Sequence, residues 1–192
     1  MTRIRRAYYL SHPQVHIDPD VAIEKWGLSD VGHARVAALI ARGLPDVSTV
    51  FSSLEVKALE TARPLADALG CPLVSCAQMG ENDRSATGFL PPSEFEATAD
   101  RFFAEPDRSV RGWETARAAQ ARIVGAVQEA LLDISGDALF VGHGGVGTLL
   151  YCALRGIEID RRYDQGPCGG GQVFDWEVGH PPQAGWRVME NL

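Results

Sequence analysis

Two histidines and a lysine each stand shortly after an apolar run of the sequence. His12 and His143 lie two residues past such runs, and Lys57 lies six residues past another. A neutral imidazole is a good nucleophile toward phosphorus at neutral pH, and a second imidazole can donate a hydrogen bond to a phosphoryl oxygen. Lysine adds a positive charge, and backbone N–H groups from Gly144 onward, at the start of a predicted helix, suit an anion. These residues predict phosphoryl chemistry that requires no metal ion or cofactor.

These side chains can act together only if the surrounding elements bring the apolar runs side by side. Short buried runs alternate with segments of helical spacing, which is typical of an α/β fold. The predicted strands cover 7–10, 49–51, 72–75, 138–141, 173–176 and 186–189. The predicted helices run from Ser29 to about residue 41 and over 52–69, 93–103, 114–132 and 146–154. We therefore predict a three-layer α/β sandwich with a mostly parallel sheet, in which ligands bind beyond the carboxyl ends of the strands.

The helix after the second strand and the loop that follows it carry further local signals. Ser52 and Glu55 have capping-box spacing, which predicts that this helix begins at Ser52. Pro64 should interrupt and bend it, and Gly70 should end it. Gly, Pro and polar residues dominate 78–92, which indicates a long loop. We expect a cap over the site around 78–110.

The composition fits one soluble domain, 1–192, rather than two. The chain has 192 residues, 45% of them hydrophobic, and a net charge of −7. That charge argues against nucleic acid or an anionic membrane as the main partner, so an anionic substrate needs a local basic pocket. No run reaches membrane-spanning length. Four cysteines without a CxxC pair indicate reduced thiols and favour a cytoplasmic location; oligomeric state is not predicted.

Five short motifs occur in an order that is more specific than any one of them. They are 8–13 (YYLSHP), 28–32 (LSDVG), 52–62 (SSLEVKALETA), 80–83 (GEND) and 141–145 (VGHGG). In these motifs the chain resembles the histidine phosphatase (phosphoglycerate mutase-like) superfamily over about residues 7–155. The resemblance implies a phosphoglycerate mutase-like fold. It also implies hydrolysis of phosphate monoesters, with mutase activity the less favoured reaction.

The resemblance also implies a role for each matching residue. His12 would take the phosphoryl group, and His143 would contact the phosphoryl oxygens. Lys57 stands where the family has its second arginine. Glu81 would give a proton to the leaving group and then activate water. The expected ligand is a small phosphorylated substrate or inorganic phosphate.

Two departures from the family pattern weaken the predicted binding of phosphate. Ser11 stands where the family has an arginine before the nucleophile, and Lys57 replaces the other arginine. Arginine binds phosphate through two parallel hydrogen bonds, whereas lysine acts as a point charge and serine is neutral. The predicted phosphate-binding set is therefore Ser11, Lys57 and Gly144, with Arg84 as the first candidate for the missing cation and Arg111 as the second.

The same residues are compatible with other kinds of protein. The missing arginine, with Gln14 where many relatives have an acid, favours a non-catalytic protein that binds phosphorylated or other anionic ligands. Gly142, Gly144 and Gly147 fit a dinucleotide fingerprint, but too little chain follows for such a domain. No GxSxG motif occurs, which argues against an α/β-hydrolase. The aromatic residues Phe89, Phe95, Phe102 and Phe103 fit two interpretations equally well: an apolar wall that would suit a bulky phosphoester, or packing in the core.

Overall fold

The computed structural model describes residues 4–166 and 169–192. The strands are β1 (Arg6–Ser11), β2 (Thr49–Ser52), β3 (Leu73–Ser75), β4 (Ala138–Gly142), β5 (Gln172–Glu177) and β6 (Arg187–Val188). The helices are α1 (Asp30–Arg42), α2 (Val56–Leu69), α3 (Pro92–Ala104), α4 (Ala116–Leu132) and α5 (Gly144–Arg155). Short 3₁₀ turns include Ile23–Lys25 and Ala77–Met79. All six predicted strands and all five predicted helices are present.

One six-stranded sheet organises the chain, in the order β3-β2-β4-β1-β5-β6. Neighbours among β3, β2, β4 and β1 run parallel, whereas β5 and β6 pair antiparallel at one edge. Because β2, β4 and β1 lie next to one another and point the same way, their carboxyl ends meet at one edge of the sheet. The prediction of a mostly parallel sheet is confirmed.

Two apolar clusters bury the two faces of the sheet and make a three-layer sandwich. Successive strand residues point to opposite faces, so Tyr9 joins one cluster and Leu10 the other. The cluster around Leu10 includes residues of α1 and α2, such as Leu39 and Leu65. The cluster around Tyr9 includes residues of α3, α4 and α5, such as Phe102. Both clusters lie beneath the edge where the strands end.

The starts of the helices confirm some local predictions and correct others. The Ser29 hydroxyl accepts a hydrogen bond from the N–H of Gly32, as expected for a cap on α1. The predicted capping box at Ser52 is wrong, because Ser52 belongs to β2 and α2 begins at Val56, with Glu55 making no side-chain cap bond. The Glu55 carboxylate instead faces the buried side chains of Lys57 and His143. Helix α2 continues through Pro64 and ends at Gly70, which adopts a left-handed conformation.

Two expectations drawn from the cysteines and the apolar runs concern the whole molecule. Cys71, Cys76 and Cys152 are free thiols, whereas Cys168 lies outside the described residues. Within 4–166 and 169–192, no helix is both long and apolar enough to cross a bilayer. The cytoplasmic location and the single-domain boundaries stay predictions.

Candidate active site

The register of the parallel strands brings His12 and His143 together. Ser11 pairs with Gly142, so the residues that follow them, His12 and His143, leave the sheet side by side. Their ring centroids lie 5.2 Å apart, with the planes inclined by 70°. The backbone fixes this arrangement, since the N–H of His12 donates to the carbonyl of Gly142 at 2.9 Å. The two predicted histidines therefore share one site although 131 positions separate them.

The His12 ring is oriented by its own backbone. Its Nδ1 lies 2.8 Å from the carbonyl oxygen of Pro13, so Nδ1 carries the proton that it donates. This tautomer leaves Nε2 with a free lone pair. Burial, followed by the nearby His143, lowers the pKa of His12 well below its ordinary value. The imidazole is consequently neutral, and nucleophilic at Nε2, at neutral pH.

The His143 side chain is buried beneath His12. Its Nε2 lies 2.8 Å from Oγ of Ser53 and 3.3 Å from Oε1 of Glu55. Its Nδ1 is buried and has no hydrogen-bond partner among the described residues. Burial lowers the pKa of His143, although Glu55 and Glu81 act in the opposite direction. The free Nδ1 marks the side of the ring on which a ligand could gain a hydrogen bond.

Lys57 is held by a carboxylate that sequence reasoning did not place in the site. Its Nζ donates to Oε2 of Glu55 at 2.5 Å and to the carbonyl of Ile23 at 2.8 Å, and only 3% of the residue is exposed. Burial alone would raise the pKa of Glu55, but His143 and Lys57 outweigh it and lower the value to about 2. Glu55 is therefore ionised at neutral pH and neutralises the charge that Lys57 was predicted to offer to phosphate.

Glu81 occupies the amino end of α5. Its carboxylate accepts hydrogen bonds from the N–H groups of Gly145 at 3.1 Å and Val146 at 3.0 Å. This is the position where the N–H groups from Gly144 onward were predicted to hold an anion, and here they bind the carboxyl group of Glu81. Gly144 and Glu81 both line the cavity that contains His12. Glu81 is thus beside the histidines, as the sequence predicted.

Arg122 anchors the loop that carries Glu81. Its guanidinium donates to the carbonyls of Gly80 at 2.9 Å and Glu81 at 3.2 Å, and its Nη2 lies 2.8 Å from a carboxylate oxygen of Glu114. Because a guanidinium held by several acceptors at once is rigid, the loop is fixed against α4. No sequence signal singled out Arg122, since an arginine inside a helix is usually a solvated charge.

Ser11 does not present its hydroxyl to the cavity. The buried hydroxyl donates to Oε1 of Gln165 at 2.5 Å and accepts from the N–H of Gln172 at 3.0 Å. Gln165 itself lines the cavity, and it packs so close to Gly144 that any side chain there would collide with its amide. Gln14, the other departure noted in this motif, accepts a hydrogen bond from Arg35. A neutral pair, Ser11 and Gln165, stands where the family pattern has a charged residue.

Arg84 and Arg111, the two candidates for the missing cation, lie in different surroundings. The guanidinium of Arg84 stacks over the rings of Phe95 at 5.3 Å and Trp113 at 5.7 Å, and it lines the cavity. It forms no ion pair within the described part of the chain. Arg111 pairs with Glu94 at 3.1 Å and does not line the cavity. The structure brings only Arg84 to the same cavity as His12.

A cavity of about 660 Å³ opens above the histidine at the carboxyl edge of the sheet. Its other lining cations, Arg161 and Arg162, are paired with carboxylates: Arg161 with Glu96 and Asp100, and Arg162 with Asp160. Across residues 4–166 and 169–192, no three His, Cys, Asp or Glu side chains are grouped to hold a metal ion. The imidazole of His12, a buried second imidazole, a carboxyl group and a guanidinium without an ion-pair partner in the described part of the chain therefore lie close together at this edge of the sheet.

Comparison with known proteins places this arrangement in a family. No curated protein matches the chain. Among solved structures, a mycobacterial glucosyl-3-phosphoglycerate phosphatase is 20% identical, with 97% of each chain covered and a TM-score of 0.74. Its complex with inorganic phosphate is 19% identical, with coverages of 97% and 99% and a TM-score of 0.73. YhfR of Bacillus stearothermophilus is 21% identical, with coverages of 94% and 95% and a TM-score of 0.78.

These structures show the fold, which is the one predicted. The sequence model described as histidine phosphatase superfamily, branch 1, matches residues 15–180. The match begins just after Ser11 and His12, where the sequence departs from the family pattern. It nevertheless spans most of the chain, including Lys57, Glu81 and His143, and the chain therefore belongs to the histidine phosphatase superfamily.

Proposed function

We propose that the chain is a phosphatase that hydrolyses phosphate monoesters through a phosphohistidine on His12, without a metal ion. The observation that carries this proposal is the hydrogen bond from Nδ1 of His12 to Pro13, which leaves Nε2 unprotonated in the cavity. Membership of the superfamily and the likeness to phosphatases, one of them solved with inorganic phosphate, support the reaction type.

In the first half of the reaction, Nε2 of His12 forms a bond to phosphorus while the ester P–O bond breaks. The leaving oxygen takes a proton from Glu81, which releases the alcohol. Glu55 cannot supply this proton at neutral pH, because its pKa of about 2 keeps it ionised. The Ser53 hydroxyl, which accepts from the N–H of Glu55, can donate its proton to Nε2 of His143 and so leave the single ring proton on Nδ1. Nδ1–H of His143 and the guanidinium of Arg84 would then stabilise the charge on the transferring phosphoryl oxygens.

In the second half, water attacks the phosphohistidine. Glu81, now ionised, takes a proton from that water as the new P–O bond forms and the P–N bond breaks. Inorganic phosphate leaves, and His12 returns to its starting tautomer. The residues around 78–110 act as a cap in this scheme, since Arg84 and Phe95 of that segment line the cavity and restrict the entry of bulk water.

A second candidate is a protein that binds phosphorylated or other anionic ligands without turnover. Three observations favour it: Ser11 is neutral and buried, Glu55 neutralises Lys57, and Glu81 fills the anion position at the start of α5. Losing one preorganised donor typically slows a reaction by ~10²–10³-fold. Arg84 is the group that distinguishes a slow phosphatase from a binding protein.

Hydrolysis of 4-nitrophenyl phosphate with EDTA present, in the wild type, His12→Ala and the surface control His180→Ala, tests the proposal. The wild type and His180→Ala should be active, and His12→Ala should lose at least ~10³-fold, as expected for removal of a nucleophile. Wild-type enzyme quenched in alkali during turnover should carry phosphate on His12. Activity that survives in His12→Ala contradicts the phosphohistidine. Phosphate binding without any turnover would select the binding protein instead.

A further inference from the structure

We propose that a second, apolar cavity beside the site binds the organic group of the substrate, so that the preferred substrates are phosphate monoesters of aromatic or similarly apolar alcohols. This inference rests on the proposed function. The cavity, called the side cavity below, measures about 260 Å³. Its lining includes Ile17, Trp26, Arg84, Phe89, Phe95 and Glu96.

The side cavity presents almost entirely apolar groups to a ligand. The only polar group of the Trp26 side chain, its Nε1–H, donates to the carbonyls of Asp18 at 2.8 Å and Val21 at 3.0 Å. Trp26 therefore offers the side cavity only the apolar surface of its ring. The rings of Trp26 and Phe89 lie 6.0 Å apart. The Glu96 carboxylate is engaged by Arg161. Hydroxyl groups of a sugar would therefore lose hydrogen bonds with water and find few replacements.

The side cavity and the catalytic cavity share part of their wall. Arg84, Phe95 and Glu96 line both of them. The Arg84 guanidinium stacks on the rings of Phe95 and Trp113 and has no carboxylate partner within the described residues, so its N–H groups are available to phosphoryl oxygens. A monoester bound to Arg84 through its phosphate can place its organic group in the side cavity.

The volume of the side cavity fits a ring system. An apolar cavity of about 150 Å³ holds a benzene molecule, and the side cavity is larger than that. It can hold one aromatic ring or two fused rings. The exposed edge at Ile17, which is 56% accessible, leaves an opening for longer groups.

The test compares two alkyl esters, so that the leaving groups have similar chemistry. We expect kcat/KM for 2-phenylethyl phosphate to exceed that for glycerol 1-phosphate by at least ~10-fold, because apolar pockets discriminate by such factors. Phe89→Ala should lower this preference about tenfold. Ile17→Ser, at a largely exposed position where folding is preserved, should lower it several-fold. Leu132→Ala, at an 84% exposed residue away from both cavities, should leave the preference unchanged.

Each outcome separates the inference from the function on which it rests. Equal or faster hydrolysis of glycerol 1-phosphate by the wild type overturns the inference and leaves the phosphatase intact. An equal loss for both esters in Phe89→Ala and Ile17→Ser also overturns it. If neither ester is hydrolysed, the phosphatase proposal fails, and calorimetry with 2-phenylethylphosphonate decides the side cavity. Tighter binding than ethylphosphonate, lost in Phe89→Ala, supports the cavity, and equal binding rejects it.

Discussion

The floor of the site and its cap differ in whether their charged side chains are paired with one another. The floor, defined as His12, Ser53, Glu55, Lys57 and His143, closes its charges on one another: Lys57 pairs with Glu55, and Glu55 faces His143. The proposed cap, the segment around 78–110, carries an arginine at the cavity that has aromatic neighbours and no carboxylate partner among the described residues. The charge available to a ligand therefore comes from the cap, although the floor is the part that the family motifs predict.

This contrast follows from how each region is built. The floor residues follow β1, β2 and β4, whose register is fixed by backbone hydrogen bonds, and their side chains are mostly buried. The cap is a loop and one helix that rest on aromatic packing, such as the pair Phe95 and Trp113. A floor of this kind is rigid, and substitutions in it lower the stability of the fold. Single substitutions in a cap can instead change its ligand preference.

The largest expected effect is loss of stability when the floor ion pair is broken. Lys57→Met leaves the Glu55 carboxylate buried without its cation, and we expect the free energy of unfolding to fall by about 4 kcal/mol, because an uncompensated buried charge is strongly destabilising. Urea unfolding measures it. The double variant Glu55→Gln with Lys57→Met should recover most of the loss.

The cap provides the matched control for that measurement. Arg111 and Glu94 form an ion pair at 3.1 Å in which both side chains are well exposed. Glu94→Gln should change the free energy of unfolding by no more than about 1 kcal/mol, since solvent screens such pairs. If Lys57→Met costs no more than Glu94→Gln, the floor is not a closed ionic unit.

The second prediction distinguishes the roles of Glu55 and Glu81, the two acidic residues near His143. Glu81→Gln should lower kcat for an alkyl phosphate by about 10³-fold, because the leaving alkoxide needs a general acid. The loss for 4-nitrophenyl phosphate, whose leaving group needs little protonation, should be much smaller. Equal losses for both esters would remove Glu81 from the role of proton donor. The stability of Glu81→Gln should stay near that of the wild type, because the amide oxygen of glutamine can still accept hydrogen bonds from the N–H groups of Gly145 and Val146.

The sequence predicted which strand ends and helix starts meet at the site, but not every contact between their side chains, for a physical reason. Strand ends and helix starts are local patterns, so they indicated that His12 and His143 would emerge at one edge. The spacing of Ser52 and Glu55 predicts a capping box, and it therefore gives no sign that the Glu55 carboxylate points into the site and pairs with Lys57. Arg122 and Gln165 were missed as well, since each reaches the site from a distant element by packing that no local pattern encodes.

The smallest of the three effects tests the cap cation. Arg84→Ala should lower kcat/KM for a phosphate monoester by about 10²-fold, as expected when one charged donor to the transferring phosphoryl group is lost. Arg111→Ala is the control, because Arg111 directly follows the same segment but does not line the cavity, and it should keep wild-type activity. A loss of tenfold or less in Arg84→Ala would mean that the cap does not supply the missing charge. The phosphate would then depend on neutral groups such as His143 and Gln165, and a slow phosphatase or a binding protein would follow from the loss of the arginine at position 11.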